Sequence, residues 1–119
     1  MTTNTISLPT DTNPNNDAIR LVLTTCATQQ QAETIAKGVL AAKLVACVNV
    51  IPNVQSWYQW QGKVCNDNEL KLVIKTRADN LNATMAWLEA HHPYQTPEIL
   101  SISANAGNRA YLQWIQDVC

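Results

Sequence analysis

The chain has 119 residues, of which 46% are apolar and 14% are charged, and its formal net charge at pH 7 is −1. This length suits one compact domain. The near-neutral charge argues against a nucleic-acid-binding protein, which normally carries a basic surface. No stretch approaches the roughly 20 apolar residues of a membrane-spanning helix. Residues 1–5, MTTNT, have neither the basic nor the apolar segment of a secretory signal, so we expect a cytoplasmic location.

The cysteines do not form a familiar metal or redox motif. No CxxC pair occurs, which excludes a zinc knuckle and a thioredoxin-type site. A secreted domain held by disulfides would be shorter or richer in cysteine. We therefore expect four reduced thiols: Cys26, Cys47, Cys65 and Cys119.

The first half of the chain predicts a tail, a strand and a helix. Residues 1–17 are rich in Thr, Asn and Pro and poor in bulky apolar residues, which predicts a disordered N-terminal tail before a domain spanning 18–119. Residues 19–25 are typical of a strand. Thr28 with Gln31 three positions later indicates a capping box, and apolar residues at helical spacing continue helix one to about Lys43.

A long hairpin follows. Residues 44–60 predict a second strand that must bend at Pro52, because proline lacks the N–H that a regular ladder uses. Residues 61–63 predict a turn. In the third strand, apolar residues from Leu70 to Ile74 alternate with charged ones, the pattern of a sheet with one buried face.

The last third predicts a helix, a strand and a terminal helix. Asp79 is expected to cap helix two, and Pro93 ends it, since the residue before a proline avoids the α conformation. Residues 98–104 predict the fourth strand. A final helix opens at Gly107-Asn108, with four apolar residues expected on one face: Tyr111, Leu112, Ile115 and Val118.

The order β-α-β-β-α-β plus a helix predicts an α+β, ferredoxin-like antiparallel sheet with two helices on one face. Each strand of the central hairpin reaches roughly 15 residues, far beyond the usual five or six. The excess must project from the two-helix layer, and it carries Trp57, Tyr58 and Trp60, residue types favoured at interfaces. An exposed projecting hairpin is an aggregation hazard unless a neighbour pairs with it, so we expect an oligomerisation arm.

Five segments in this order resemble the CutA family of divalent-cation tolerance proteins. They are LAAKLVACVNVIP (40–52), YQWQGK (58–63), LVIKT (72–76), HHPYQTPE (91–98) and YLQW (111–114). The resemblance implies a ferredoxin-like fold, a homotrimer built through the long hairpins, and a role in tolerance of copper or other divalent cations. It also implies a likeness in fold to PII-type signalling trimers, although fold does not carry function.

The richest cluster of chemical groups contains the two histidines of the chain, His91 and His92, followed by Tyr94 and Glu98. Imidazole suits copper, zinc and nickel, and a carboxylate can complete such a site. A structural alternative is that His91 stabilises the end of helix two through the helix dipole, with His92 as a spacer. Neighbours on a regular helix point about 100° apart, so the two rings share a ligand only if the helix end relaxes.

A cysteine is the remaining candidate ligand. Copper-binding members of the family are thought to use a cysteine at the end of strand one; Thr24 occupies that place here, and Cys26 lies two residues later, on the same face of a strand. The resemblance thus makes Cys26 a substitute ligand for Cu²⁺ or another divalent cation beside His91, His92 and Glu98. A small buried thiol is the alternative for Cys26.

The resemblance and these residues leave three hypotheses for the function. The first is a homotrimer that binds metal ions in divalent-cation tolerance. The second is a PII-like scaffold whose intersubunit clefts bind a small ligand or a partner protein. The third, an enzyme with a Cys26–His91 nucleophile pair, has no supporting motif, so we expect no enzymatic activity.

Overall fold

The computed structural model describes residues 18–119, so the predicted tail at 1–17 lies outside the described residues. The elements in chain order are β1 (Ile19–Cys26), α1 (Gln29–Ala41), β2 (Val45–Trp60), β3 (Lys63–Arg77), α2 (Leu81–His91), β4 (Leu100–Ser103) and α3 (Arg109–Val118). A single 3₁₀ turn, Ala78–Asn80, joins β3 to α2.

The strands form one antiparallel sheet in the order β2-β3-β1-β4. This is the ferredoxin-like arrangement, and it confirms the predicted α+β fold. The β2–β3 hairpin has strands of 16 and 15 residues. The described chain therefore measures 61 × 30 × 21 Å with a radius of gyration of 17.0 Å, against about 13 Å for a compact chain of 100 residues.

The main core lies between one sheet face and the helices α1 and α2. Alternate residues of β1 and β3, among them Val22 and Leu72, pack against Ile35 and Val39 of α1 and Leu88 of α2. The two helices approach closely at Gly38, where an added Cβ would lie 2.6 Å from the Trp87 ring. The N-terminus of α1 is capped as predicted, because the Gln31 N–H donates to Thr28 Oγ1 at 3.1 Å.

The opposite sheet face is only partly covered. Helix α3 packs on one end of it, where Leu112 and Ile115 contact Ile19. Direct cross-strand partners share a face, so the pairs Leu21–Ile102, Leu23–Leu100 and Leu23–Val73 place a row of apolar side chains beyond α3. We call this the open face; it comprises Leu21, Leu23, Ile51, Val73, Leu100 and Ile102.

A bulge bends β2 where the sequence predicted it. Ile51 pairs with Lys71 and Val54 pairs with Glu69, so three steps on β2 oppose two steps on β3. Asn53, after Pro52, has a left-handed φ of 60°. Beyond this point, the extra residue reverses which side chains of β2 point to each face of the sheet. The aromatic residues of the outer hairpin lie beyond the bulge, so the bulge sets the face to which each of them points.

Three details differ from the sequence expectations. Asp79 does not cap α2: it lies in the 3₁₀ turn, its carboxylate binds the guanidinium of Arg77, and no side chain caps the helix start at Asn80. The fourth strand is Leu100–Ser103 rather than 98–104, because its pairing with β1 begins only where Leu100 faces Leu23.

The third difference concerns α3, where Leu112 and Ile115 are buried, whereas Tyr111 and Val118 are exposed by 38% and 46%. The predicted apolar face is thus wider than the sheet surface that it covers. Among residues 18–119, the helices are all too short or too polar to cross a bilayer.

Candidate functional site

His91 lies at the last position of α2 with one ring nitrogen engaged. Its Nδ1 is 2.8 Å from the Trp87 carbonyl oxygen, and its ring stacks on the Trp87 indole with centroids 4.0 Å apart. A carbonyl only accepts, so Nδ1 carries the proton in neutral His91. Nε2 is then the nitrogen with a lone pair available to a ligand. An open pocket of about 300 Å³ lies beside His91 and Pro93 and is lined on its other side by the first turns of α1.

His92 has both ring nitrogens engaged. The Tyr94 N–H donates to Nδ1 at 3.0 Å, and Nε2 lies 2.8 Å from the carbonyl oxygen of Thr25. Nδ1 must therefore be unprotonated, and Nε2–H must donate to Thr25. The ring joins the loop after α2 to the end of β1. Binding a metal through either nitrogen would cost one of these two hydrogen bonds.

Cys26 is fully buried at the end of β1. Its thiol donates to the Thr28 carbonyl oxygen, with a sulfur–oxygen distance of 3.7 Å. Burial raises the pKa of this thiol; the Thr28 contact opposes this in part, and the negative charge of Glu69 adds a smaller increase. The uncharged thiol is thus the favoured form, whereas metal ligation and nucleophilic attack both need the thiolate.

Glu98 is engaged in an ion pair. Its carboxylate lies 2.8 Å from the Lys71 ammonium, and both side chains are about 30% exposed. The nearby Glu69 accepts a hydrogen bond from the Tyr94 hydroxyl at 2.6 Å. Burial and this contact raise the pKa of Tyr94, so the phenol stays protonated at neutral pH.

The four predicted ligands do not converge on one point. Within the part of the chain that the structure describes, no three His, Cys, Asp or Glu side chains are grouped so as to hold a metal ion. Cys26 lies at the end of β1, and His92 reaches that end from the loop after α2, but the two side chains engage separate backbone carbonyls, and Glu98 faces Lys71. Of the two histidines, only His91 has a ring nitrogen without a partner among the described residues, and the four residues do not form a closed metal centre within one subunit.

Sequence reasoning missed a cleft near these residues. It has a volume of about 720 Å³ and lies between the outer hairpin and the loop after α2. Its lining includes three aromatic and three acidic side chains: Tyr58, Trp60, Tyr94, Asp67, Glu69 and Glu98. The available signal was the spacing of Asp67 and Glu69, which places both carboxylates on one strand face. Their contact with residues near 94 is set by the tertiary fold.

Comparison with known proteins identifies the family. Residues 20–118 match the family model of the CutA1 divalent ion tolerance protein. This match spans most of the chain. The chain belongs to the CutA family.

Individual relatives agree with this assignment. A CutA homolog of Xenopus laevis is 42% identical over 94 residues, which cover 79% of this chain and 62% of that protein. The crystal structure of the divalent ion tolerance protein CutA1 of Ehrlichia chaffeensis superposes with a TM-score of 0.82 at 33% identity, covering 86% of this chain and 95% of the other. A CutA structure from Archaeoglobus fulgidus, described as a periplasmic divalent cation tolerance protein, gives 0.80 at 33% identity, covering 84% and 97%.

Thr24 occupies the place where the family resemblance led us to expect a cysteine ligand. Its side chain is fully buried, and its hydroxyl has no hydrogen-bond partner among the described residues. Cys26 lies on the same strand face two residues on, but its sulfur is turned to the Thr28 carbonyl. A neutral hydroxyl at residue 24 is a poor ligand for Cu⁺ or Cu²⁺ compared with a thiolate.

Proposed function

We propose that this CutA-family chain acts in divalent-cation tolerance as a non-enzymatic cytoplasmic homotrimer that binds Cu²⁺, or another divalent cation, weakly through His91. The family match supports the link to divalent cations. The observation that carries the metal proposal is the hydrogen bond from His91 Nδ1–H to the Trp87 carbonyl oxygen. This bond leaves the lone pair of Nε2 available to a metal ion beside a pocket.

The chemistry of the other candidates limits the affinity. Both His92 nitrogens are engaged, Cys26 is protonated and the charge of Glu98 is compensated by Lys71, so we assign His91 as the one protein ligand of the cation in each subunit. A single imidazole holds a divalent cation only weakly, whereas closed sites use three or four protein ligands. The cation is thus an exchangeable cargo.

Calorimetric titration of Cu²⁺ at pH 7 tests this assignment. We expect weak uptake by the wild-type protein, loss of uptake in His91→Ala, and unchanged uptake in Cys26→Ser, since the buried thiol is not a ligand in this proposal. Full uptake by His91→Ala would remove His91 from the site. A loss in Cys26→Ser would instead support the cysteine ligand expected from the sequence.

A homotrimer is supported by surfaces that a lone subunit leaves uncovered. Leu100 and Ile102 on the open face are exposed by 59% and 49%, and Trp57 and Trp60 on the projecting hairpin by 65% and 59%. An exposed apolar patch such as the open face marks a protein interface, and tryptophan is enriched at such interfaces.

The second candidate function is a scaffold that binds a small ligand, as in PII-like trimers. The cleft of about 720 Å³ favours it, because ligand sites are concave and lie within this size range. Thermal-shift measurement with nucleotides and small anions tests the PII-like version. Stabilisation by a nucleotide would support it, and the absence of any shift would count against it.

A further inference from the structure

The indole of Trp87 supports the imidazole that the proposed function uses. Trp87 and His91 are four positions apart on α2, which places their side chains on the same helix face. The two rings stack with centroids 4.0 Å apart and planes inclined by 16°. The backbone carbonyl of the same tryptophan accepts the hydrogen bond from Nδ1–H at 2.8 Å. Trp87 therefore contacts both a face and an edge of the His91 ring.

Gly38 of α1 makes room for this indole. A Cβ added at residue 38 would lie 2.6 Å from Cζ2 and Cη2 of Trp87, far inside the usual carbon–carbon contact of about 3.5–4.0 Å. The six-membered ring thus fits against the α1 backbone only because residue 38 has no side chain. Trp87 is also half-buried and packs against the main core. Its orientation is therefore restricted by packing on two elements.

His91 differs from Trp87 in its surroundings. It is an exposed residue at the last position of α2. An exposed side chain samples several staggered rotamers, and fixing one of them on binding a ligand costs conformational entropy. Stacking on a ring that is itself fixed removes this cost before the ligand arrives. The gain matters most where one side chain is the only protein ligand.

We propose that Trp87 is a positioning residue of the cation site: its indole, seated against Gly38, keeps the His91 imidazole in one orientation with Nε2 available beside the pocket at the start of α1. This role rests on the proposed function of His91 as the cation ligand. Helices α1 and α2 cover the sheet face opposite the open face. Association of subunits through the open face therefore leaves this site outside the contact.

Nuclear magnetic resonance of the metal-free protein tests the orientation. The chain has two histidines, so protein labelled at histidine gives two sets of ring signals, and His92 is an internal control. In the wild type, we expect the indole ring current to shift the His91 ring protons upfield and the couplings about χ1 to report one rotamer. Trp87→Leu keeps the backbone carbonyl but removes the ring, so the upfield shift should vanish and the couplings should average. Trp87→Phe should restore most of both effects.

A single His91 rotamer retained in Trp87→Leu would overturn the proposal, because the carbonyl alone would then hold the imidazole. Gly38→Ala tests the seat of the indole, since the added methyl group must displace the ring and reduce the upfield shift of His91. Lys37→Ala, at an exposed neighbouring position of α1, is the matched control and should leave the His91 signals unchanged. Unchanged His91 signals in Gly38→Ala would contradict the seating against α1.

Calorimetric titration of Cu²⁺ at pH 7 connects orientation with affinity. We expect Trp87→Leu to bind Cu²⁺ severalfold more weakly than wild type and Trp87→Phe to stay within twofold. Trp114→Leu removes a tryptophan that stacks on Tyr111 of α3, and it should leave the affinity unchanged.

The titration separates two kinds of failure. Absence of uptake by the wild type would contradict the proposed function and, with it, the role of Trp87. Uptake by the wild type with equal affinity in Trp87→Leu, or an equal loss in Trp114→Leu, would overturn the role of Trp87 alone. Far-UV circular dichroism and a melting curve for each variant verify that the fold is retained.

Discussion

Two buried threonines on neighbouring strands differ in one hydrogen bond. Thr76 Oγ1 donates to the Leu44 carbonyl oxygen at 2.6 Å, whereas Thr24 Oγ1 has no partner among the described residues. A buried hydroxyl without a partner loses its hydration and gains nothing in return. The unsatisfied hydroxyl of Thr24 thus lowers the stability of the core.

Thr24→Val is therefore expected to increase the free energy of unfolding by about 1 kcal/mol, because the methyl group replaces an unsatisfied polar atom at similar volume. Thr76→Val is the matched control and should lower it by about 1 kcal/mol, since a formed hydrogen bond is lost. Urea unfolding of both variants measures the difference. A loss of stability in Thr24→Val would mean that its hydroxyl has a partner in solution.

The Tyr58–Asp67 contact predicts an unusual titration. The hydrogen bond to the Asp67 carboxylate raises the pKa of Tyr58 to about 12, from an ordinary value of 10.0. Because the folded-state pKa lies above the unfolded one, the contact contributes to stability below about pH 10 and is lost as pH rises through about 12. Carbon-13 NMR of the Tyr58 Cζ should show this late titration. Asp67→Asn should bring the midpoint back towards 10, and an unchanged midpoint in that variant would contradict the assignment.

Residue types and spacing predicted the candidate metal-ligating side chains of the site but not the hydrogen bonds that these side chains already make within the subunit. His91 and His92 were recognised as chemical groups, yet the carbonyl of Thr25 that engages His92 is 67 positions away in the chain. The cleft has the same origin, since Tyr94 reaches Glu69 across 25 positions. Contacts of this range depend on the packing of α2 against the sheet, which local sequence patterns do not encode.

At the scale of elements, the bulge in β2 decides which side chains face the cleft. Asn53 has a φ of 60°, a region that asparagine and glycine tolerate and β-branched residues avoid. Pro52 before it lacks an N–H, so the regular ladder is interrupted at this position anyway. The bulge is thus favoured by two adjacent residues.

Asn53→Val should lower the free energy of unfolding by about 1–2 kcal/mol, because a β-branched residue is strained at positive φ. Asn53→Gly should be nearly neutral, since glycine adopts this conformation freely. Asn66→Val, at an exposed position of β3 with ordinary strand geometry, is the control and should cause no loss. Chemical denaturation distinguishes these cases. Equal stability of the two valine variants would mean that the bulge adopts another conformation.

The elements themselves were largely predictable from the sequence. The period-2 pattern of Leu70 to Ile74 and the break at Pro52 predicted the sheet face and the bend, and both are confirmed. The prediction that Asp79 caps α2 was wrong, because its carboxylate binds the guanidinium of Arg77 two residues away. A capping motif and a local ion pair compete for the same carboxylate, and the sequence does not say which contact forms.

At the scale of the whole molecule, the described chain has one layer of two helices on one side of the sheet and an incomplete layer on the other. Helices α1 and α2 cover their face, whereas α3 covers only the end near Ile19. The open face and the projecting hairpin form the uncovered part, and the edge strand β4 borders it. An open apolar sheet face next to an unpaired edge invites association with another chain.

The homotrimer proposal predicts that this face is the contact surface. Wild-type protein should elute with a mass near three times 13.2 kDa in light scattering at micromolar concentration. Leu100→Lys should shift it to monomer, because an ammonium group at the centre of an apolar contact would lose its hydration. Leu40→Lys is the matched control: Leu40 is 41% exposed on α1, in the opposite layer, and the trimer should persist. A monomeric wild type would contradict the trimer, and a trimeric Leu100→Lys would place the contact surface elsewhere, on the aromatic hairpin or on α3.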